Sequence, residues 1–414
     1  MTTDNRFANL QVKDWRQFGT VELDLTNRLT ILTGENGTGK TSLLSLLGGH
    51  FGHQTQFVST PRRKDGKFYF VSVRKMFEQY APEWETFGDL LYASGDTTQI
   101  GTYASNTPEF AVYFQQQQQI PGVMLDSHRV VSSYGKVESV PPRFRPASEI
   151  YDEYKTQLRS WWSPNVIRKS PSLLMKESLI AAAIYGEGNS AVTPDPLAAM
   201  VWTGFQSVLR ELLPGGLEFV KLRVDQAEVL IETTTGTFAL ESLSGGVGAI
   251  FELAWQIYLQ SRDSEAFTVC FDEPENHLHP SLQRSLIPQL LRAFPNVSFV
   301  IATHSPFVVT SSRDAKVYVL RRDDSGKVNS EILDLHAQAW TVDEVLRDVL
   351  GVGSTMPIWA ETAFNAIMSD FTHQPLTGEA IAQLSNRLGE AGFRFSVPEV
   401  VDSVSAAEDF PRES

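Results

Sequence analysis

Apolar residues near the start of the chain follow the two-residue period of half-buried β-strands. Residues 7–12 and 21–25 alternate apolar and polar side chains, and residues 29–33 form a short buried run. The following segment, 41–47, carries leucines at four of its seven positions, which predicts a helix. The pattern therefore predicts strands leading into a helix, with a glycine-rich stretch at 34–41 joining them.

The middle of the chain changes character twice. Residues 68–73 and 110–114 favour strands. From about 147 to 213 the apolar spacing predicts helices, and 217–240 returns to a strand pattern with a turn at Gly236. We interpret the helical part as an inserted domain, because it interrupts two stretches of strand pattern.

Strands and helices alternate again in the segment that follows. The pattern predicts a helix from 244 to about 259, a buried strand at 267–271, a helix at 280–293 and a buried strand at 297–302. A last strand is expected at 316–320. This alternation predicts an α/β fold with a largely parallel, doubly wound sheet.

The predicted domain organisation follows from these changes of pattern. Residues 1–60 form the first lobe of a head, and 241–335 form its second lobe. Between them, 61–240 supplies further strands and the inserted helices. Residues 336–414 read as a helical region for assembly or partner binding, with helices at 342–350, 357–369 and 378–391.

Composition narrows the class of protein. The 414 residues carry 42% hydrophobic side chains and a formal net charge of −14, which suits two or three folded domains and argues against a generally basic nucleic-acid binder. The single cysteine, Cys270, excludes an intramolecular disulfide framework. We see neither a signal peptide nor an apolar run of about 20 residues. We therefore expect a cytoplasmic protein that does not act in a membrane.

The glycine-rich stretch between the buried strand and the helix carries candidate chemistry. Residues 34–41 read GENGTGKT and fit the pattern G-x-x-x-x-G-K-[ST] of a phosphate-binding loop. Glycines let successive N–H groups point at phosphate oxygens, and the helix adds its positive N-terminal end. Lys40 is expected to reach the β- and γ-phosphates, and Thr41 to sit on Mg²⁺. The residues predicted to bind the nucleotide here are Gly34, Asn36, Gly37, Gly39, Lys40, Thr41 and Ser42.

Two carboxylates, Asp272 and Glu273, come at the end of the buried strand 267–271. Ligands of open α/β folds bind at this edge of the sheet. We predict that Asp272 holds Mg²⁺ and that Glu273 orients or deprotonates the attacking water. With the phosphate-binding loop, they predict ATP and Mg²⁺ as cofactors and ATP hydrolysis as the reaction. The alternative is a pair of surface carboxylates at the start of a loop.

Ser244, Gly245 and Gly246 open the helix that precedes this strand. Serine is a good N-cap, and two glycines allow a phosphate to approach the backbone closely. We predict that all three bind nucleotide. A capped helix after a glycine turn is the structural alternative.

His304 follows the next buried strand, in the sequence ATHSP. Its position at the strand end predicts a hydrogen bond to the γ-phosphate and a role in hydrolysis. His277 and His279 lie in the loop after Glu273, but no cysteine or further histidine stands at ligand spacing from them. We therefore expect that loop to cross a dimer interface rather than to bind a metal.

These elements, in this order, resemble the ABC-type ATPase heads related to SMC proteins and to the OLD family. The resemblance covers residues 7–49 and 240–306, and DEPENHLHP and ATHSP look like the OLD-like bacterial ATPases of phage-defence systems such as Septu and PARIS. It implies an ABC-type P-loop NTPase head with a mixed, mostly parallel sheet flanked by helices. It also implies that Ser244–Gly246 of one copy faces the γ-phosphate held by a second copy.

The resemblance also implies partners. It points to a homo-oligomer, either a dimer or a ring of dimers, and to a separate effector, an HNH or TOPRIM-like nuclease. A nucleic acid or a phage component is the candidate trigger. OLD nucleases carry an Asp-x-Asp pair in an appended TOPRIM domain, whereas here no Asp-x-Asp follows His304 and Asp323 and Asp324 are adjacent. We therefore predict no intrinsic nuclease activity.

Two details of the resemblance stay open in the sequence. Residues 125–129, LDSHR, look like a segment of such ATPases, with Arg129 either near the nucleotide or in an ordinary salt bridge. The glutamine of the usual Q-loop has several candidates, which are Gln54, Gln56 and 115–119.

Three functions compete for this sequence. The first is an ATPase that controls a separate effector in anti-phage defence. The second is a DNA-repair ATPase of the SMC or RecF kind, which would bind DNA through local positive charge. The residues that supply this charge are Arg62-Arg63-Lys64, Lys67, Arg74-Lys75, Arg143 and Arg145. The alternative is that they only form a solvated face. The third is the ATPase subunit of a membrane transporter, which the long insert and the DEPENHLHP form disfavour.

Overall fold

The structure, a computed structural model, describes residues 5–53, 55–73, 83–128, 134–161, 169–190, 192–335, 340–352, 354, 356–371 and 377–393. It divides into two compact units, Met1–Val345 and Leu346–Ser414. The strands are β1 (Phe7–Lys13), β2 (Thr20–Asp24), β3 (Leu29–Gly34), β4 (Gln56–Val58), β5 (Thr60–Lys64), β6 (Lys67–Val71), β7 (Trp84–Tyr92), β8 (Thr97–Tyr103), β9 (Glu109–Ala111), β10 (Tyr113–Phe114), β11 (Gly122–Leu125), β12 (Phe219–Asp225), β13 (Glu228–Thr233), β14 (Gly236–Ala239), β15 (Phe267–Asp272), β16 (Val297–Ala302), β17 (Lys316–Arg322) and β18 (Val328–Leu333). The helices are α1 (Lys40–Gly48), α2 (Ala147–Trp161), α3 (Pro171–Glu187), α4 (Pro196–Leu212), α5 (Gly245–Asp263), α6 (Pro280–Ala293), α7 (Pro306–Val309), α8 (Val342–Glu344), α9 (Ile358–Ser369) and α10 (Gly378–Glu390).

A six-stranded sheet lies at the centre of the first unit, in the order β11-β15-β16-β3-β17-β18. Its first five strands are parallel, and β18 adds an antiparallel edge. Every residue of β3, β15 and β16 is buried, as expected for strands covered on both faces. The α/β fold with a mixed, mostly parallel sheet flanked by helices is therefore confirmed.

A second, antiparallel sheet has the order β10-β8-β7-β1-β2. Its apolar residues share one core with α1 and with the central strands. Trp15 is stacked on Phe87, with 4.3 Å between the ring centroids, and Phe18 is fully buried beside it. This core fixes residues 14–19 next to the glycine-rich stretch, where Phe18 limits the space around Gly39.

Helices α2 to α5 pack against one another, and α5 also contacts β11. Phe205 of α4 lies between Trp255 and Tyr258 of α5, with centroid distances of 4.9 and 5.7 Å. Ser170 and Asp195 cap α3 and α4, because their side chains accept hydrogen bonds from first-turn N–H groups. In the described part of residues 147–213, the predicted helices are present as α2, α3 and α4.

The structure corrects the sequence analysis at two places in this unit. The strand expected at 316–320 is β17, but it is not the last, since β18 follows it and pairs with it. Residues 217–240 form a meander of three strands, and the predicted turn at Gly236 is only one of its two turns. The first turn was missed because Gln226 and Ala227 adopt positive φ angles of 48° and 63° without a glycine to signal them.

The second unit, as far as it is described, contains α9 and α10. Ile367, Met368 and Phe371 pack with Leu384 and Leu388 of α10 to form its small core. The predicted helix at 342–350 is only partly α-helical, because α8 is followed by a π-helical turn at Val345–Val349. Within the described part of the chain, no helix has both the length and the apolar character needed to cross a membrane.

Candidate functional site

The glycine-rich stretch adopts a conformation that requires glycine at three positions. Gly34, Gly37 and Gly39 have φ angles of 136°, 76° and 97°. A Cβ atom on Gly34 would lie 2.4 Å from the carbonyl oxygen of Leu320 in the neighbouring strand β17, and one on Gly39 would lie 2.4 Å from the ring of Phe18. The backbone can therefore curl at the end of β3 only because these side chains are absent.

Lys40 is the first residue of α1, and its side chain curls back over this loop. Its Nζ donates to the carbonyl oxygens of Gly34 (2.9 Å) and Glu35 (3.0 Å), and the residue is only 6% exposed. Burial lowers the pKa of Lys40 to about 8, against the opposing effect of Glu273 and Asp272. The ammonium is thus held where phosphate oxygens could replace the two carbonyls.

Thr41 and Asp272 meet although they are 231 residues apart in the chain. The Thr41 hydroxyl lies 3.2 and 3.0 Å from the two carboxylate oxygens of Asp272. Asp272 is 5% exposed, and burial raises the pKa of its carboxyl to about 6 in spite of this hydrogen bond. A hydroxyl and a carboxylate at this spacing form a donor set that suits Mg²⁺.

Glu273 and His304 stand beside this pair at the ends of neighbouring parallel strands, β15 and β16. His304 Nε2 lies 4.0 Å from Glu273 Oε1, and both side chains are about one-third exposed. Burial lowers the pKa of His304, and the nearby Lys40 lowers it further. The structure therefore brings the two predicted catalytic residues together, while their roles stay predictions.

The other predicted loop residues differ in exposure. Asn36 is exposed and Ser42 is half-buried. The hydroxyl of Thr38, which was not predicted to contribute, donates to the carbonyl of Glu35 at 2.9 Å and helps to close the loop.

Of the three predicted residues at the start of α5, Ser244 and Gly245 are exposed and Gly246 is half-buried. Ser244 is exposed and occupies the N-cap position, yet its side chain accepts no capping hydrogen bond. Gly245 has open space where a Cβ would stand. Among the described residues, no hydrogen bond links Ser244–Gly246 to residues 34–41. In an α-helix the first N–H groups have no intrahelical acceptor, so the start of α5 offers donors for an acceptor outside the helix.

Sequence reasoning missed three residues that complete the cluster. Arg322, at the end of β17, donates to the Gly37 carbonyl at 3.0 Å. Glu275 Oε1 accepts from the Thr303 hydroxyl and from the backbone N–H of His304. Asp126 lies in the segment LDSHR, and its Oδ1 is 3.7 Å from His53 Nε2. Asp126 and Glu275 had a sequence signal, since they lie in the segments LDSHR and DEPENHLHP, whereas the contact of Arg322 depends on which strands become neighbours.

A cavity of about 510 Å³ opens beside Thr41 and Asp272. Its walls come from β11, the residues that follow β11, α2 and α5, and include Asp126, Tyr151 and Glu252. None of the described candidates for the Q-loop glutamine lines it, since Gln56 lies in β4 and residues 115–119 precede β11. Gln54 and Arg129 lie outside the described residues.

His279, the second histidine after Glu273, lies at the start of a helix. His279 caps α6, because its Nδ1 accepts from the backbone N–H of Ser281 at 3.3 Å. In the described part of the chain, no group of three or more histidine, cysteine, aspartate or glutamate residues is arranged to hold a metal ion.

Two family models match this sequence. The family described as "AAA domain, putative AbiEii toxin, Type IV TA system" matches residues 124–310, and a second AAA domain family matches residues 9–89. The first match contains β15 and β16 with Asp272, Glu273 and His304. The second contains the phosphate-binding loop.

Curated relatives include two Septu proteins and a retron protein. The Septu protein PtuA of Bacillus thuringiensis is 21% identical over 363 residues, which are 82% of this chain and 83% of that protein. The Septu protein PtuA of Bacillus mycoides is 25% identical, over 71% of this chain and 36% of that protein. The Retron Ec83 probable ATPase of Escherichia coli is 26% identical, over 30% of this chain and 24% of that protein.

Among solved structures, the SMC head domain of Thermotoga maritima is similar at a TM-score of 0.38 and 14% identity, covering 79% of this chain and 99% of that chain. An Smc head domain of Pyrococcus furiosus, bound to the C-terminal domain of ScpA, has a TM-score of 0.42 and 13% identity, covering 83% and 99%.

Proposed function

Because the family matches and the curated relatives support an ABC-type AAA ATPase, we propose that this chain binds and hydrolyses ATP between two of its copies. We further propose that it thereby controls a separate effector in anti-phage defence. The observation that carries the ATPase proposal is the meeting of Thr41 and Asp272 beside Lys40, at the carboxyl edge of a parallel sheet.

The residues present fit ATP and Mg²⁺. The N–H groups of the loop and Lys40 would hold the phosphates, and Thr41 and Asp272 would hold the metal ion. When bound, MgATP supplies the phosphoanhydride bond that is cleaved. Glu273 would orient or deprotonate the attacking water, and His304 would donate a hydrogen bond to the terminal phosphate.

A second copy is proposed to complete the site. Ser244 and Gly245 are exposed at the start of α5, with N–H groups that lack an internal partner in an α-helix. We propose that these groups bind the γ-phosphate held by the partner copy. ATP would then drive dimerisation, or the assembly of dimers into a ring.

The proposed effector is a separate nuclease of the HNH or TOPRIM-like class. The names of the relatives support the link to defence, since two are Septu proteins and one is a retron ATPase. The chain itself has no Asp-x-Asp after His304. A nucleic acid or a phage component is the proposed trigger, and the proposed location is the cytoplasm.

Two variants test the ATPase proposal. Lys40→Ala should abolish ATP binding, while Lys13→Ala, at the exposed end of β1, should leave it unchanged. Glu273→Gln should slow hydrolysis by roughly 10²–10⁴-fold and keep ATP binding. Exposed Glu265→Gln is its matched control. Light scattering with ATP should show Glu273→Gln as a stable oligomer. Hydrolysis by Glu273→Gln at the wild-type rate would overturn the assignment of the base.

One observation favours a second candidate function, direct action on nucleic acid. The hairpin β5–β6 is exposed and carries Arg62, Arg63, Lys64 and Lys67, with Asp65 as its one acidic residue. Phe68 on the same hairpin is 56% exposed, so an unpaired base could stack on it. By contrast, Arg145 is engaged by Glu153, and Arg74 and Lys75 lie outside the described residues.

Salt dependence tests this second candidate. Binding of single-stranded DNA should weaken steeply between 50 and 200 mM salt, as roughly expected for several phosphate contacts. The variant Arg62→Ala/Arg63→Ala should bind single-stranded DNA less tightly than the control variant Arg284→Ala/Arg313→Ala, which removes two exposed arginines elsewhere. Equal binding by the two double variants would exclude the hairpin.

A further inference from the structure

Asn276 joins the proposed base to a different strand end. Its Nδ2 donates to Glu273 Oε2 at 2.8 Å and to the backbone carbonyl of Ser127 at 3.2 Å. Ser127 follows β11 and lines the cavity beside Thr41 and Asp272. We infer that Asn276 is a positioning residue that holds the Glu273 carboxylate against the residues following β11. This inference rests on the proposed role of Glu273.

The backbone of this turn already orients Glu273. Its N–H donates to the carbonyl of Ala302 in β16 at 2.8 Å, and the Asn276 N–H donates to the carbonyl of Glu273 at 3.2 Å. Glu273 and His277 have φ angles of 47° and 68°, which residues with side chains seldom adopt. Such conformations persist where the surroundings enforce them, and they concentrate at functional sites.

The two oxygens of Glu273 have different surroundings. Oε2 accepts from Asn276, whereas Oε1 faces His304 Nε2 at 4.0 Å. The amide therefore fixes the plane of the carboxylate through one oxygen. The other oxygen stays directed toward the end of β16, where the attacking water is proposed to lie.

An asparagine suits this position because its NH₂ group has two hydrogens for two acceptors. An aspartate in the same place would offer only acceptors to a carboxylate and a carbonyl. The contact also links the base to Ser127, at the edge of the cavity that residues of α2 and α5 line. A shift of the residues after β11 would thus move the Glu273 carboxylate.

The test compares the kinetics and stability of full-length variants. Asn276→Ala should lower kcat for ATP hydrolysis roughly 10- to 100-fold, with KM for ATP and the denaturation midpoint close to wild type. Asn276→Asp should lower kcat at least as far. Asn329→Ala is the control, because Asn329 accepts from the Thr20 N–H and donates to Asp323 rather than to Glu273. It should change the midpoint and leave kcat unaltered.

A double variant separates positioning from a general structural role. If Asn276 acts through Glu273, adding Asn276→Ala to Glu273→Gln should cause no further loss of kcat. Independent, multiplicative losses would overturn the inference, as would a parallel loss of ATP binding and stability in Asn276→Ala.

The same measurements distinguish the inference from the function on which it rests. A slow Glu273→Gln with a fast Asn276→Ala would overturn the inference and leave the base assignment standing. A fast Glu273→Gln would overturn the base assignment, and the inference would fall with it.

Discussion

The backbone carbonyl oxygen of His277 lies 2.7 Å from the point where a Cβ atom on Gly246 would stand. The start of α5 thus packs directly on the turn that carries Glu273 and Asn276. Gly245, one residue earlier, has open space at the same position. A side chain would therefore clash at Gly246 but not at Gly245, although the sequence gives no sign of this difference.

Alanine substitution should separate these requirements. Gly246→Ala should destabilise the isolated chain by about 1–3 kcal/mol, because the methyl group overlaps a backbone carbonyl that cannot move freely. Gly245→Ala should leave the free energy of unfolding within about 0.5 kcal/mol. Urea denaturation without nucleotide measures both.

ATP-dependent assembly should show the opposite order: Gly245→Ala should impair it more than Gly246→Ala does, once stability is accounted for. If Gly245 faces the phosphate of the partner copy, Gly245→Ala should lose ATP-dependent assembly while it still folds. Normal assembly by a folded Gly245→Ala would argue that the start of α5 takes no part in the shared site.

The sequence predicts those parts of the site that lie in short motifs, but not the contacts between residues that are far apart in the chain. Lys40, Thr41, Asp272 and Glu273 belong to short motifs, and the alternation of strands brings the two motifs to one sheet edge. The contact between Gly37 and Arg322 could not be predicted in this way. It depends on β17 lying next to β3, and strand order leaves no local trace in the sequence.

The strands of the fold also differ in how well the sequence predicts them. Strands that are buried on both faces, such as β15 and β16, were predicted from mainly apolar runs, which only Thr268 and Ser298 interrupt before the strand ends. The four-residue strand β11 was missed, because so short a run gives too little periodicity to identify. That omission also concealed the position of Asp126 and Ser127 beside Asp272 and Glu273.

Glu275 should be needed to hold the segment that carries His304. Its Oε1 accepts from the Thr303 hydroxyl at 2.7 Å and from the N–H groups of His304 and Ser305 at 2.8 and 3.1 Å. Glu275→Ala leaves three donors without this acceptor, so we expect a loss of about 2–4 kcal/mol in the free energy of unfolding. Glu275→Gln retains one acceptor oxygen and should lose less.

Chemical denaturation of both Glu275 variants checks this order, with exposed Glu331→Gln as the control. ATP hydrolysis should fall in Glu275→Ala even at temperatures where the variant is folded. Equal stability of wild type and Glu275→Ala would show that water replaces the carboxylate without cost.

Lys176, outside the proposed ATP site, should be a second residue whose substitution strongly lowers stability. It is 1% exposed and forms ion pairs with Glu228 and with Glu241, the latter at 2.6 Å. Burial alone would lower the pKa of Lys176, but the two carboxylates raise it above its ordinary value. Lys176→Met should destabilise the chain by about 3–5 kcal/mol, because two carboxylates lose their counter-ion in a poorly solvated place.

Removing one carboxylate should restore part of that loss. The variant Lys176→Met/Glu241→Gln should be more stable than Lys176→Met alone in urea denaturation. If the double variant is less stable, the carboxylate of Glu241 is held by other groups and the ion pair contributes little.

His50 should make the stability of the first unit depend on pH. Its Nδ1 faces the carbonyl of Leu47 at 3.3 Å, and its Nε2 lies 2.9 Å from the hydroxyl of Tyr92. A neutral ring with the proton on Nδ1 satisfies both contacts. Burial lowers the pKa of His50 to about 4. Since the unfolded chain titrates near 6.5, it binds more protons than the folded chain between these values.

The contribution of neutral His50 should therefore be complete above pH 6.5 and be lost as the pH falls toward 4. By pH 5 the loss should be about 2 kcal/mol. Denaturation of wild type and His50→Gln at pH 7.5 and pH 5 isolates the contribution of His50, because all other titratable groups are the same in both proteins. The stability difference between the two should shrink by this amount on acidification. A difference that does not change with pH would mean that His50 is solvated or already paired with an acid.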